Sequence, residues 1–416
     1  MELSHPLETS YSSICDDELR SRAAAVVPGG MWGHLNAALL PEGYPQFFRR
    51  GEGCRLWDVD GREYIDFMCS WGPNILGHHD PHVEEAAARQ RRNGDCLNGP
   101  GPVLVELAER LVARLPHADW ALFQKNGTDA TTTCVTIARA TTKRRKILVA
   151  RGAYHGAVPW CTPSMLGVTA EDRAHILHYT YNDPQSLLDA AAEAGSDLAA
   201  VIVSALKHDF AVEQALPQPE FARAVRQLCD RTGAALILDD VRAGFRIDLG
   251  GSWEPLGIRP DLSAFSKAIA NGYALAAVTG SDRFRDAASK IYVTGSFWCA
   301  AVPMAAACAT LDRLEEVDGP GHMAAMGQRL RDGIAAQAAR RGVALRQTGP
   351  AQMPLILFED DADFAKGNLF TGTALAHGAY MHPRHNMFLS VAHTLADIDA
   401  ALEATDAALA AVAEAA

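Results

Sequence analysis

The middle of the chain carries the pattern that most restricts its fold: two short apolar runs separated by one amphipathic helix. LAAVIV (198–203) and AALILDD (234–240) are apolar and contain β-branched residues, as strands buried on both faces of a parallel sheet require. Between them, PEFARAVRQLCDRTG (219–233) reads as a helix with Gly233 at the C′ position. Parallel neighbours need a crossover of this kind, so the segment is a βαβ unit and the chain is predicted to be α/β with a mostly parallel sheet. KILVA (146–150) supplies a further buried strand, and GPVLVELAERLVARL (101–115) carries Val103, Leu104, Leu107, Leu111, Val112 and Leu115 at helical spacing. Upstream, RLWDVDGREYIDF (55–67) reads as a hairpin turning at Asp60-Gly61.

At 416 residues the chain exceeds the usual size of a single core, so two lobes with a site between them are expected. The expected division is an N-terminal segment, 1–60, joining the smaller domain, a large domain over 61–305, and a C-terminal small domain over 306–416. Ala-rich helices dominate the last part, ending in LADIDAALEATDAALAAVAEAA. Apolar residues make up 48% and charged residues 21%, an ordinary globular mixture. The net charge of −12 argues against nucleic acid and acidic membranes as partners, because both are held by basic patches. Nine cysteines without CxxC spacing read as reduced thiols. The first thirty residues lack a basic segment followed by an apolar one, and no stretch reaches membrane-spanning length, so a cytoplasmic location is expected.

The candidate chemistry centres on Asp239, which closes the strand-like run, and Lys267, which follows 28 residues later in SAFSKAIANGY. Ligands in open α/β sheets bind at the carboxyl ends of strands, where Asp239 falls. An acid that keeps a pyridinium nitrogen protonated and an amine that forms a Schiff base are the two groups that pyridoxal phosphate chemistry requires. Taken singly, Asp239 reads equally well as a helix cap and Lys267 as a surface lysine. Asn126, Gly127 and Thr128 precede a helical stretch, where free backbone amides make an anion site for a phosphate; an ordinary capped helix fits as well. Tyr154 and His155 follow the KILVA strand and could set an aromatic face over a planar ring, or pack within a loop. Arg384 could clamp a carboxylate bidentately, against the default of a surface arginine. His78, His79 and His82 lie in a Pro-containing turn without cysteine or paired carboxylates, so no metal site is expected there. No GxGxxG follows a strand, which argues against a dinucleotide.

Five ordered segments together resemble the class III pyridoxal-phosphate-dependent aminotransferases, most closely the glutamate-1-semialdehyde aminomutase-like branch, from about Pro28 to the end. They are SWGPNILGHHDPHV, KNGTDATTTCVTIARA, AYHG, LILDDVRAGFR with FSKAIANGY, and FLSVAHTLADIDAALEAT. The resemblance implies the fold type I architecture: a large domain whose mostly parallel, seven-stranded-type sheet lies between helices, plus a smaller α+β domain from the two chain ends. It implies pyridoxal 5′-phosphate as cofactor, with Lys267 as Schiff-base lysine and Asp239 at the pyridine nitrogen. Asn126, Gly127 and Thr128 would hold the phosphate, Tyr154 would stack on the ring, and His155 and Val241 would lie beside it. A homodimer with shared active sites is implied as well, Ser296 or Thr294 of one subunit reaching the other's phosphate.

The sequence departs from this family at several points. Asn126 stands where a serine is usual, and Ser204-Ala205 replaces the usual Glu-Pro, followed by LKHDF, in which His208 or Asp209 could approach the ring hydroxyl. MWGHLN (31–36) lacks the arginine that the aminomutase pattern carries there, so Trp32, Trp71, Tyr154 and Trp160 are expected to line a more apolar substrate pocket. The resulting expectation is an aminotransferase that moves an amino group from an amino donor to a carbonyl acceptor by ping-pong exchange. An aminomutase or racemase, and more remotely a non-catalytic family member, remain open alternatives.

Overall fold

A computed structural model describes residues 15–36 and 40–415 of the chain. The N-terminal reading over residues 1–14 therefore lies outside the described residues. The main sheet has seven strands: β1 Trp120–Gln124, β2 Lys146–Ala150, β3 Ile176–Tyr179, β4 Leu198–Ser204, β5 Ala235–Asp239, β6 Leu262–Phe265 and β7 Ala276–Gly280. Their spatial order is β1-β7-β6-β5-β4-β2-β3. All pairings are parallel except those of β7, which runs against both β1 and β6. The mostly parallel seven-stranded sheet expected from the sequence is present.

The strands read as continuous apolar runs because both faces of the sheet are covered. Side chains alternate along each strand, so Ile147, Val149, Ala200, Ile202 and Ile237 pack on one side with Ala130, Cys134 and Ile137 of the helix Gly127–Thr142. Leu148, Val201, Val203, Leu236 and Leu238 point to the other side, against Leu187 of the helix Pro184–Ala194 and Phe221, Val225 and Leu228 of the helix Pro219–Thr232. The latter helix ends where the sequence placed its stop, with Gly233 left-handed at φ +70°.

A second layer of structure joins the two ends of the chain. Phe48–Glu52, Arg55–Asp58 and Glu63–Asp66 form an antiparallel meander, and the late strand Ala379–Tyr380 pairs in parallel with Glu63–Asp66. The hairpin turn falls at Asp60-Gly61, with Gly61 at φ +91°. A separate ribbon, Leu345–Thr348 with Leu355–Phe358, and the helices Gly319–Arg341, Ala365–Ala376 and Leu395–Ala415 complete this part. The helix Ala301–Glu316 is continuous and packs its buried face into the same core as Leu107 and Leu111 of Val103–Arg114. Fully buried Arg246 ties the parts together, donating from Nη1 to the Leu389 carbonyl at 2.7 Å and from Nη2 to the Gly72 carbonyl, with its Cζ 4.9 Å from the Phe388 ring centre.

Candidate active site

Because β2, β4, β5 and β6 are parallel, the loops after them leave the same edge of the sheet. Ser204 lies opposite Asp239, and Asp239 opposite Ala264, so the residues following each strand meet above one stretch of that edge. There the fold forms a cavity of about 340 Å³ lined by Asn126, Gly127, Thr128, Tyr154, His155, His208, Asp239, Val241, Arg242 and Lys267, among others. Eight residues expected from the sequence to meet the cofactor, together with His208, are thus brought to one place.

Asp239 is buried at the floor. Its Oδ2 is 2.7 Å from His155 Nδ1, and its Oδ1 accepts from the Val241 amide at 3.1 Å. The His155 carbonyl accepts from Thr131 Oγ1 at 2.6 Å, which fixes the imidazole behind the acid. His155 Nε2 is buried with no hydrogen-bond partner among the described residues. Tyr154, 47% exposed, stands at the rim.

Lys267 follows a serine in extended conformation and itself adopts φ +48°, a left-handed geometry that a residue with a Cβ seldom takes. Such strain, on the order of 1–3 kcal/mol, persists where the surrounding structure over-determines it, and it collects at functional sites. Here Ser266 Oγ is anchored to the Leu275 carbonyl at 2.9 Å, and Asn271, also left-handed, accepts from the Leu76 amide at 2.8 Å and donates to the Gly77 carbonyl at 2.9 Å. Burial, and then the guanidinium charges of Arg242 and Arg246, push the Lys267 amine down to about 7, against the opposing pull of Asp239. A large fraction is therefore the free, nucleophilic amine near neutrality.

The third wall is the start of the helix Gly127–Thr142. The Asn126 side chain caps it by accepting from the Asp129 amide at 3.0 Å, while the first-turn amides of Gly127 and Thr128 have no i−4 carbonyl to meet. Two glycines keep this corner open: a Cβ on Gly127 would lie 2.7 Å from Val241 Cγ1, and one on Gly156 would lie 2.7 Å from Thr128 Oγ1. Free amides at a positive helix end, a hydroxyl and a space that any Cβ would fill suit a phosphate. A planar ring between Tyr154 and Val241 would then extend toward Asp239 and Lys267. The residues present fit pyridoxal phosphate.

Several other candidates lie elsewhere. Trp32 is 67% exposed, and Trp160 donates to Thr132 Oγ1 at 3.1 Å; neither lines the cavity. Trp71 ends a run of left-handed residues, Cys69 to Trp71, held by Asp66 Oδ1, which accepts from the Met68 and Cys69 amides at 2.8 and 2.9 Å. It sits outside the lining, edge-on to the imidazoles of His34, His382 and His385. Burial holds His382 down to about 4 and His385 well below its ordinary value, so both rings are neutral. Arg384 is also outside, its Cζ 5.0 Å from the Phe364 ring centre. Thr294 and Ser296 are exposed on the 291–300 segment, beside exposed Tyr292 and Phe297. His78 pairs with Asp66 at 3.0 Å and His82 with Asp80 at 3.6 Å, whereas His79 stands exposed. Among the described residues no helix is long and apolar enough to cross a membrane. Sequence reading missed Arg242, although it stands three residues after Asp239 on a loop leaving the same strand; its place in VRAGFR gave no sign of which way it faces.

The fold and this site are those of a pyridoxal-phosphate enzyme with a type I architecture. Residues 41–411 match the family described as Aminotransferase class-III, and the chain belongs to that family. It is 53% identical to the aminopentol aminotransferase of Sphingopyxis macrogoltabida over 95% of this chain and 94% of that relative. The solved structure of the PLP internal aldimine form of Sphingopyxis sp. MTA144 FumI protein superimposes with a TM-score of 0.94 at 53% identity, covering 95% of this chain and 96% of that one. The glutamate-1-semialdehyde 2,1-aminomutase of Chloroherpeton thalassium stands further off, 32% identical over 93% of this chain and 95% of its own length. The chain is accordingly a class III aminotransferase that uses pyridoxal phosphate to move an amino group from a donor to a carbonyl acceptor.

Proposed function

We propose that the amino donor is an amine without a carboxylate on a hydroxylated carbon chain, and that Lys267 and Asp239 carry the chemistry. The observation that carries the assignment is the placement of a buried amine, held at about 7, in one cavity with the His155-Asp239 pair and the open corner at Gly127. Pyridoxal phosphate supplies an aldehyde for imine exchange and a protonated ring that accepts the electron pair released at the donor carbon. Lys267 Nζ would hold the aldehyde end of the cofactor, and as a free amine it would take the proton from the donor carbon and return it. Asp239 holds the proton on the ring nitrogen, and His155 keeps the carboxylate aimed at it. Asn126, Gly127 and Thr128 would hold the phosphate, and Tyr154 and Val241 would lie beside the ring.

The donor class is supported by the aminopentol named for the relative at 53% identity. A half-reaction screen tests it: amino alcohols should bleach the visible band of the holoenzyme faster than α-amino acids of equal length. The opposite order would remove the proposal.

The same reading divides the chain into a cofactor-binding unit over 61–305 and a smaller unit from 1–60 and 306–416, supported by the seven-stranded sheet, whose strands all fall between 120 and 280; the pairing of Ala379–Tyr380 with Glu63–Asp66 carries the smaller unit to residue 66. A homodimer would bring Ser296 or Thr294 of a second copy to the phosphate, which explains why both stand exposed beside Tyr292 and Phe297. Sedimentation should give the two-chain mass, and Ser296→Ala should weaken cofactor retention; a monomer retaining the cofactor fully would refute this. The acidic net charge supports an enzyme without nucleic-acid or acidic-membrane partners, and its nine unpaired cysteines support a cytoplasmic one.

A further inference from the structure

We propose that Lys125 supplies the counter-charge of the cofactor's phosphate, a contact additional to the turn at Asn126, Gly127 and Thr128; this rests on the pyridoxal-phosphate reading of the site and deepens it. Lys125 follows β1 and directly precedes that turn. β1 runs against β7 with Gln124 opposite Ala276, and this pairing brings the lysine to the chain entering β7, where Nζ donates to the Ala274 carbonyl at 3.2 Å. The side chain is half-buried and lines the same cavity as Asn126, Gly127, Thr128 and Lys267. An ammonium has three N–H groups, so two remain to be used. Among the described residues Lys125 forms no ion pair. Burial lowers its proton affinity, and Asp95, foremost of the groups that oppose this, is itself engaged, its Oδ1 accepting from the Val302 amide at 2.9 Å.

The turn alone is short of positive charge. A phosphate carries about −1.5 to −2 at neutral pH, whereas a helix N-terminus offers the equivalent of about +0.5. The Asn126 side chain adds nothing, because its Oδ1 accepts from the Asp129 amide at 3.0 Å and its Nδ2 donates to Asp129 Oδ2 at 2.9 Å. Its share in holding the phosphate falls to the backbone amide. Asp129 also sets a carboxylate in the first turn of the helix, which works against an anion there. Thr128 Oγ1 accepts from the Ala157 amide at 3.2 Å and has one proton to give.

Two other lysine or arginine side chains line the cavity, and both are otherwise employed. Lys267 is the amine that meets the aldehyde. Arg242 lies in the field of Asp239, Tyr154 and Asp209, and its Nη1 donates to the His208 carbonyl at 3.3 Å and to Asn386 Oδ1 at 2.9 Å. Lys125 is left for the phosphate, and an N–H···O bond with charge on both partners is of the strong kind.

The test uses the full-length chain freed of cofactor and mixed with pyridoxal 5′-phosphate or with pyridoxal, which keeps the aldehyde and lacks the phosphate. Equilibrium dialysis gives the two dissociation constants. The wild type should favour the phosphorylated form, and Lys125→Gln, which can still reach the Ala274 carbonyl but carries no charge, should reduce that preference by about 10–10²-fold while pyridoxal binding stays nearly the same. Lys125→Arg should keep most of the preference, since the charge remains. Calorimetric titration with inorganic phosphate should show binding to the cofactor-free wild type that the glutamine variant weakens. An unchanged preference in a variant that develops its visible band would overturn the proposal. So would an equal loss for both forms, which would make Lys125 a support for the chain at Ala274 and not a phosphate contact. If the wild type develops no visible band with either form, the pyridoxal-phosphate reading fails instead, and the inorganic phosphate titration still decides whether Lys125 holds a phosphate. Should the glutamine variant not fold, Lys125→Met carries the same comparison.

Discussion

At the scale of single residues, Lys267 is the position whose properties depend most on its surroundings. An ordinary lysine is almost wholly protonated at neutral pH, and only the neutral amine adds to an aldehyde. Burial and two nearby guanidinium groups lower this amine to about 7, so the reactive fraction rises as pH climbs through 7 and changes little further above about 9. Cofactor-free protein mixed with pyridoxal phosphate should therefore develop its visible band with a rate midpoint near pH 7. A rate that kept climbing toward pH 10.5 would show the amine to be unperturbed. The sequence located the lysine, but its proton affinity comes from burial and then from Arg242 and Arg246, and only the folded chain buries the amine and brings the arginines near.

At the scale of elements, the site depends on strand ends and one helix start. Parallel strands β2, β4, β5 and β6 deliver Tyr154, His208, Asp239 and Lys267 to one edge, and the helix Gly127–Thr142 aims its first amides into the same space. Gly127 is required by close approach, since its φ is ordinary and the restriction is the 2.7 Å that a Cβ would leave to Val241. Gly127→Ala should weaken cofactor binding by about 1–3 kcal/mol, the usual cost of overpacking. Val241→Ala in the same chain should recover part of that loss, measured as cofactor dissociation by equilibrium dialysis. Loss without recovery would locate the damage in the helix and not in the contact. The strands and this helix were legible from period and punctuation. The contact between Gly127 and Val241, 114 positions apart, was not, because no local pattern encodes it.

At the scale of the whole molecule, the chain ends close over the sheet, and Arg246 is the fastener. It hydrogen-bonds carbonyls contributed by Gly72 and by Leu389, more than 300 positions apart, inside a sealed environment. Arg246→Leu would leave both carbonyls without partners and should cost about 3 kcal/mol, read as a lower Tm by calorimetry. A Tm within a degree of the wild type would show that the two parts hold together without it. The tryptophans offered from the sequence as pocket residues also belong to this scale. Trp32 is exposed and Trp160 is bonded to Thr132, neither lining the cavity, and Trp71 is held among imidazoles. A sequence lists aromatic residues without the direction of their side chains, and direction here follows from how the 31–36 and 69–72 turns meet the rest of the fold.

The sequence by itself determined the α/β architecture, the acid and the lysine, the phosphate turn and the family, because each rests on local periodicity or on short motifs kept in order. Only the tertiary structure decided which arginine faces the reacting lysine, why that lysine is a free amine near neutrality, and which aromatics stand aside. Those properties are set by distances between residues far apart in the chain and by exclusion of water, neither of which exists before the chain has folded.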